Sequence, residues 1–174
     1  MQLMPDSKSI EDYLNKQSEH HGYLERARPP VFVQSFKYNE EELRELATDH
    51  ASTWLRYHIV LATWNRHGVF TDETAQSVTE GWRELRQGFL IDKVSFVPDH
   101  VHIALTTHPT QSPISVVGTL MNSAQELVWN RYSNVAIQSA VERLWQSGAY
   151  IGSFGALSGK AIKAYMYRWA SRSE

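Results

Sequence analysis

The alternation of apolar and polar side chains predicts five strands and four helices along the chain. Strands are predicted where β-branched and aromatic residues alternate with polar ones or run together, over residues 31–38, 55–64, 90–98, 100–108 and 149–156. Helical spacing of apolar residues, with a capping side chain before it, predicts helices that start after Asn39, at Thr71 or Asp72, at Ser112 or Pro113, and after Ser158.

From strand 55–64 onward the elements follow in the order β-α-β-β-α-β, with a last helix over 159–170. The predicted fold class is therefore α+β: a ferredoxin-like antiparallel sheet with its helices on one face. Only Pro98 and Asp99 separate strands 90–98 and 100–108, which predicts a tight hairpin. Because the helices cover one face, the other face of the sheet is left for a ligand or a partner.

Charge and composition divide the chain into an acidic, partly ordered N-terminal arm over residues 1–50 and a domain over residues 51–174. The arm carries six Lys and Arg against ten Asp and Glu, the domain carries eleven against nine, and the net charge is −2. This balance excludes a protein that grips duplex DNA mainly through its phosphates. The absence of cysteine excludes a disulfide scaffold and a thiolate metal site. With neither a secretory signal nor an apolar run of about 18 residues, we expect a cytoplasmic protein.

His100 and His102 form the most specific local pattern in the sequence, within the string PDHVHIAL. Side chains at positions i and i+2 of a strand project from the same face. Two neutral imidazoles held in this way can bind one divalent ion. The same spacing also fits two histidines that simply lie on an exposed sheet face, so both interpretations stay open at this point.

Tyr165 and Tyr167 on the last predicted helix are candidate nucleophiles. A tyrosine hydroxyl can attack a phosphodiester when a metal ion polarises the phosphate. The two side chains lie about 200° apart around a helix, so that one can be buried while the other is accessible. Packing in the core is the alternative role for both aromatic rings.

Between Tyr57 and Trp169 the sequence resembles the single-tyrosine HUH transposases of bacterial insertion sequences, including the REP-associated tyrosine transposases. The resemblance rests, in chain order, on the strings YHIVLATWNRHGVF, FVPDHVHIAL, SPISVVGTLMNSAQELVWNRY, LWQSGAYIGSFG and AIKAYMYRW. Its most diagnostic part is a Pro-Asp-His-x-His strand that follows a β-α-β unit and precedes a tyrosine helix.

The resemblance implies a metal-dependent enzyme that cuts and rejoins single-stranded DNA. Its implied site consists of His100 and His102, which bind Mg²⁺ or Mn²⁺, and Tyr165, which forms a 5′-phosphotyrosine intermediate. It also implies a homodimer that recognises DNA hairpins, and the apolar strands 55–64 and 100–108 favour pairing with a second copy. The candidate DNA contacts are the basic residues that flank this site: Arg56, Arg66, His67, Lys160, Lys163 and Arg168.

Trp169 departs from the family pattern, because it stands one helical turn after Tyr165, where relatives commonly carry a glutamine or another polar ligand. Gln125 and Glu126 on the long predicted helix are candidate substitutes for that ligand. Several functions therefore stay open: a transposase or DNA nickase, a domesticated relative that binds hairpin DNA or a protein without cleavage, and a dimer unrelated to DNA.

Overall fold

The computed structural model describes residues 29–47, 55–85, 87–134 and 143–153 of the chain. The elements in this part are β1 (Phe32–Ser35), α1 (Glu40–Arg44), β2 (Leu55–Thr63), α2 (Asp72–Glu84), β3 (Phe89–Val97), β4 (His100–Thr107), α3 (Pro113–Arg131) and β5 (Trp145–Ser153). A single 3₁₀ turn, Trp64–Arg66, follows β2. The predicted last helix, with Tyr165, Tyr167 and Trp169, lies outside the described residues, as does most of the predicted arm.

The strands form one antiparallel sheet in the order β1-β3-β4-β2-β5. The predicted α+β class is confirmed, and the order β-α-β-β-α-β is present from β2 to β5. β4 lies at the centre of the sheet and all eight of its residues are buried. β1, predicted within the N-terminal arm, pairs with β3 and extends the sheet by one edge strand.

Helices α2 and α3 pack together on one face of this sheet and cover its apolar residues. The buried core joins side chains of the strands, such as Ile59 and Ile103, to Val78 and Trp82 of α2 and Leu120 of α3. Two indole groups also link these elements by hydrogen bonds, one between α2 and α3 and one between β5 and α3. Nε1 of Trp82 donates to the carbonyl of Leu120 at 2.8 Å, and Nε1 of Trp145 donates to the carbonyl of Met121 at 3.0 Å. The tryptophans Trp82 and Trp145 therefore belong to the core.

Two of the three α-helices given above begin with the predicted capping chemistry. Asn39 accepts a hydrogen bond from the backbone N–H of Glu42, and the Glu42 carboxylate accepts one from the backbone N–H of Asn39, which completes a capping box. Thr71 caps α2 in the same manner with Thr74. Ser112 precedes α3 without a capping hydrogen bond from its side chain, and Pro113 occupies the first turn instead.

Two local predictions differ from the structure. The last described strand begins at Trp145 rather than at residue 149, because an irregularity in its pairing with β2 lets four more residues join the sheet without clean alternation. The helical spacing of apolar residues that predicts α3 also includes Ile114, but this side chain is 69% exposed, and Val116 is buried instead. Within the described part of the chain, no helix has the length and hydropathy needed to cross a membrane.

Candidate functional site

His100 and His102 lie on the face of the sheet opposite to α2 and α3. In β4, His100 pairs with Ala62 of β2 and His102 pairs with Val60, while the alternate residues of β4 belong to the apolar core. We call the face that carries His58, Ser95, His100 and His102 the histidine face. The same-face geometry expected from the spacing is therefore present, but His100 is only 2% exposed and His102 is 0% exposed. The alternative of two histidines on an exposed surface does not describe this protein.

His100 is held by the residue that precedes it. Its Nδ1 lies 2.8 Å from Oδ1 of Asp99, and the other carboxylate oxygen of Asp99 accepts hydrogen bonds from Arg66. The Arg66 guanidinium approaches this oxygen to 2.6 Å, with the Arg66 side chain only 11% exposed. A histidine that donates from Nδ1 to a carboxylate carries its lone pair on Nε2, and Nε2 is then its metal-binding atom.

Burial and charge set the protonation states of His100 and Asp99. Burial lowers the pKa of His100 below its usual 6.5, although the Asp99 carboxylate acts in the opposite direction. Burial by itself would raise the pKa of Asp99, but the hydrogen bond and charge of His100 and the charge of Arg66 lower it below 3.8. At neutral pH the site thus combines a neutral imidazole with an ionised carboxylate, the forms needed for a histidine ligand and the group that orients it.

The loop after β2 brings Arg66 to the start of β4. Asn65 and Arg66 adopt left-handed backbone angles, with φ of 49° and 57°, and residues other than glycine rarely adopt this conformation. The Thr63 hydroxyl lies 2.7 Å from the carbonyl oxygen of His67 and 2.9 Å from that of Asp99. These contacts, with the Arg66–Asp99 ion pair, hold the loop in place against the cost of its backbone conformation.

His102 is held by His58, a further buried histidine that was not predicted as a site residue from the sequence. Nε2 of His58 lies 3.0 Å from Nδ1 of His102, and the two rings are stacked with centroids 5.1 Å apart. His58 is 0% exposed, and the edge of its ring meets the Tyr150 ring at 5.9 Å between centroids. His58 lies two residues before Val60 in β2, and Val60 pairs with His102, so that His58 and His102 share a face of the sheet. The sequence cannot show this until β2 is known to pair with β4.

Two further polar side chains are buried on or near the histidine face. Ser95 pairs directly with His102 across β3 and β4, and Gln146 lies in the irregular part of β5. The hydroxyl oxygen of Ser95 and Oε1 of Gln146 are buried, and neither makes a hydrogen bond within the part of the chain that the structure describes. Buried polar atoms of this kind are uncommon, and they often mark a site for water, an ion or a ligand.

The two helix residues expected as substitute metal ligands do not lie near these histidines. Gln125 and Glu126 belong to α3, which packs on the opposite face of the sheet. Oε1 of Gln125 accepts a hydrogen bond from the backbone N–H of Leu144 at 2.9 Å, and Glu126 is exposed beside a groove between α2 and α3. Neither side chain can complete a metal site at His100 and His102.

Among residues 29–47, 55–85, 87–134 and 143–153, no three histidine or acidic side chains form a cluster that could hold a metal ion. The donor set that the described residues offer is the pair His100 and His102, each with its Nδ1 engaged. Two neutral imidazoles suit a divalent transition ion such as Mn²⁺, provided that water or substrate oxygens fill the other positions. The two histidines therefore fit a divalent ion only together with further ligands that the described residues do not supply.

The described part of the chain includes three of the predicted DNA-contact residues. Arg56 and His67 are exposed, as such contacts require. Arg66 differs from the expectation, because its guanidinium is largely buried in the ion pair with Asp99. The other predicted contacts, Lys160, Lys163 and Arg168, lie outside the described residues. Arg143 is a further exposed cation in the described part of the chain, and its guanidinium lies 4.3 Å from the centroid of the Trp64 ring.

Comparison with known families identifies the family of the chain. Residues 51–168 match the family described as Transposase IS200 like, which accounts for more than half of the chain. The chain therefore belongs to the IS200-like transposase family, whose role is DNA transposition, and the resemblance noted in its motifs is confirmed.

The chain is also similar to individual proteins. The chain is similar to the ISDra2 transposase TnpA of Deinococcus radiodurans, with 26% identity over 102 residues, 58% of this chain and 69% of that protein. Its fold is similar to the crystal structure of a candidate transposase from Deinococcus radiodurans, with a TM-score of 0.64 and 20% identity over 71% of this chain and 96% of the other. A REP-associated tyrosine transposase bound to a REP hairpin aligns with a TM-score of 0.41 and 12% identity over 70% and 68% of the two chains.

Proposed function

We propose that this protein is a metal-dependent transposase that cuts and rejoins single-stranded DNA, with His100 and His102 as metal ligands and Tyr165 as nucleophile. The observation that carries the proposal is the pair of adjacent histidines with Nδ1 of each already engaged, in a chain of the IS200-like family. Both imidazoles then direct Nε2 as their ligand atom. A divalent ion bound there would neutralise negative charge on the scissile phosphate.

The proposed reaction is a transesterification at phosphorus. The Tyr165 oxygen loses its proton and forms a bond to the phosphorus atom, while the bond from phosphorus to the 3′ oxygen breaks. The leaving 3′ oxygen takes up a proton, and the 5′ phosphate stays on the tyrosine. Attack of a 3′ hydroxyl on this phosphotyrosine reverses the exchange and rejoins the DNA. The protein residues in this scheme bind, orient and hold charge, which is where most of the rate enhancement in phosphoryl transfer arises.

The proposed substrate is single-stranded DNA with a hairpin, and the proposed assembly is a homodimer. The reason given above for a dimer, the apolar character of the strands over 55–64 and 100–108, is explained within one chain, since β2 and β4 are interior strands of the sheet. A different feature fits association: among the described strands, β5 is the outermost on its side of the sheet, and an outermost strand is where a sheet can be extended by a further strand. Light scattering at micromolar concentration should give about twice the 20.0 kDa of one chain.

The proposal is tested by metal binding and by trapping the covalent intermediate. Calorimetric titration with Mn²⁺ should show binding to the wild-type protein and none to the double variant His100→Ala, His102→Ala. A labelled hairpin substrate with Mn²⁺ should give a covalent protein–DNA band on a denaturing gel. The band should be absent from Tyr165→Phe, unchanged in Tyr167→Phe and stronger in Trp169→Gln, which restores a polar side chain. Equal Mn²⁺ binding by wild type and double variant would refute the metal site.

A relative that binds DNA or a protein without cleavage is the second candidate function. It is favoured by the burial of both histidines, because an ion and a phosphate can reach them only if the atoms that cover them move aside. The same experiments separate the two functions. Retention of a hairpin substrate by the wild-type protein, with no covalent band from it or from Trp169→Gln, would favour binding without cleavage.

A further inference from the structure

The His58–His102 contact is the most specific interaction on the histidine face that the proposed mechanism does not use. Two ring nitrogens 3.0 Å apart, both in side chains with no exposed surface, share one proton between them. Nδ1 of His102 and Nε2 of His58 therefore cannot bind a metal ion while this hydrogen bond exists. His58 is thus excluded as a ligand through Nε2, and His102 is restricted to binding through its own Nε2.

We propose that His58 is a positioning residue that fixes the tautomer and the ring orientation of His102. In the metal-binding form of His102, the lone pair is on Nε2 and the proton is on Nδ1, so that Nδ1–H donates to Nε2 of His58. This inference rests on the proposed function, in which His100 and His102 hold the ion. It assigns to each ligand its own orienting partner: the Asp99 carboxylate for His100 and the His58 imidazole for His102.

The backbone around His58 makes this partner rigid. His58 lies within β2, opposite Ala104 of β4 on one side and Gly152 of β5 on the other, so its main chain is paired along both edges. The Tyr150 ring packs against the His58 ring, and the His102 ring stacks on it. A partner with so little freedom can hold a ligand within the narrow range of orientations that metal binding needs. Loss of such orienting partners typically lowers metal affinity about 10–100-fold.

Two substitutions at position 58 separate the hydrogen bond from the packing. His58→Phe keeps an aromatic ring of similar size against His102 but removes the acceptor. His58→Gln loses the ring but offers the Oε1 oxygen as an acceptor for Nδ1–H of His102. His108→Phe is the matched control, because it removes a histidine beyond the end of β4, whose Nδ1 lies 2.7 Å from the Thr110 hydroxyl in an exposed contact.

The first measurement is the protonation of His102 in the metal-free protein, from the ¹⁵N chemical shifts of its ring nitrogens. We expect the proton on Nδ1 in wild type, and a change toward the Nε2-protonated form in His58→Phe. The second is calorimetric titration with Mn²⁺, for which we expect the Kd to rise about 10–100-fold in His58→Phe. The Kd should rise much less in His58→Gln and stay unchanged in His108→Phe.

The outcomes distinguish this inference from the proposed function. Wild-type binding of Mn²⁺ with the same Kd in His58→Phe would overturn the positioning role alone, as would a proton on Nε2 of His102 in the wild-type protein. Failure of the wild-type protein to bind Mn²⁺ would overturn the proposed function, and the inference with it. If His58→Phe does not fold, two measurements still test the positioning role. These are the position of the ring proton of His102 in the wild-type protein and the Mn²⁺ affinity of His58→Gln.

Discussion

Replacement of Asp99 by alanine should destabilise the protein and weaken its metal site together. The carboxylate accepts hydrogen bonds from both His100 and Arg66, and the Arg66 side chain is 11% exposed. Removal of one partner from a buried ion pair typically costs about 3–5 kcal/mol. Asp99 itself is 27% exposed, so partial solvation places the expected loss near the lower end, at about 3 kcal/mol. For a chain of this size that corresponds to a fall in Tm of about 6–12 °C.

Urea denaturation at pH 7.5 of wild type, Asp99→Ala and Asp99→Asn measures this loss. The asparagine variant retains an oxygen acceptor for His100 but not the charge, so its loss should be about half as large. The double variant Asp99→Ala, Arg66→Met should lose less than the sum of the two single variants, because the single change at Asp99 leaves a buried cation without its carboxylate. Mn²⁺ affinity should fall about tenfold in Asp99→Ala.

The pH dependence gives an independent check on the charge of Asp99. The pKa of Asp99 is lower in the folded protein than its usual 3.8, so its contribution to stability is complete above pH 3.8 and is lost as the pH falls through the folded pKa. The stability difference between wild type and Asp99→Asn should therefore shrink at acidic pH. A loss below about 0.5 kcal/mol in Asp99→Ala, or strict additivity with Arg66→Met, would refute the reasoning from the ion pair.

Three further substitutions test other parts of the structure. Burial raises the pKa of Asp92 above 3.8, and the Thr106 hydroxyl and Arg56 offset this only in part. Asp92→Asn should therefore raise the Tm at pH 7, and this gain should disappear as the pH falls toward 3.8. A gain in Tm that does not depend on pH would contradict the reasoning. Ser95→Ala removes a buried hydroxyl that makes no hydrogen bond to the described residues and should raise stability by about 1 kcal/mol in urea denaturation, whereas a loss would indicate a bound partner. Trp82→Phe removes the indole hydrogen bond and part of a buried ring and should cost about 2–3 kcal/mol by the same measurement, and a neutral result would contradict the packing of α2 on α3.

The local features of this protein follow from its sequence because they depend on neighbours a few residues apart. The period of two along residues 100–107 places His100 and His102 on one face, whatever the rest of the fold does. Asn39 and Glu42 lie three residues apart, so their capping box needs no tertiary contact. The order β-α-β-β-α-β and the resemblance to a transposase family rest on such patterns, and both are confirmed.

The partners of the two histidines were decided only by the tertiary structure. His58 and His102 are 44 residues apart, and Arg66 and Asp99 are 33 residues apart. They meet because β2 lies next to β4 and because the loop after β2 returns to the start of β4. The pairing of strands that are distant in the sequence, such as β2 with β4, is set by the packing of the whole sheet against its helices, and no local pattern encodes it. The same packing places α3, with Gln125 and Glu126, on the face opposite the histidines, so the metal ligands expected there could be excluded only from the fold.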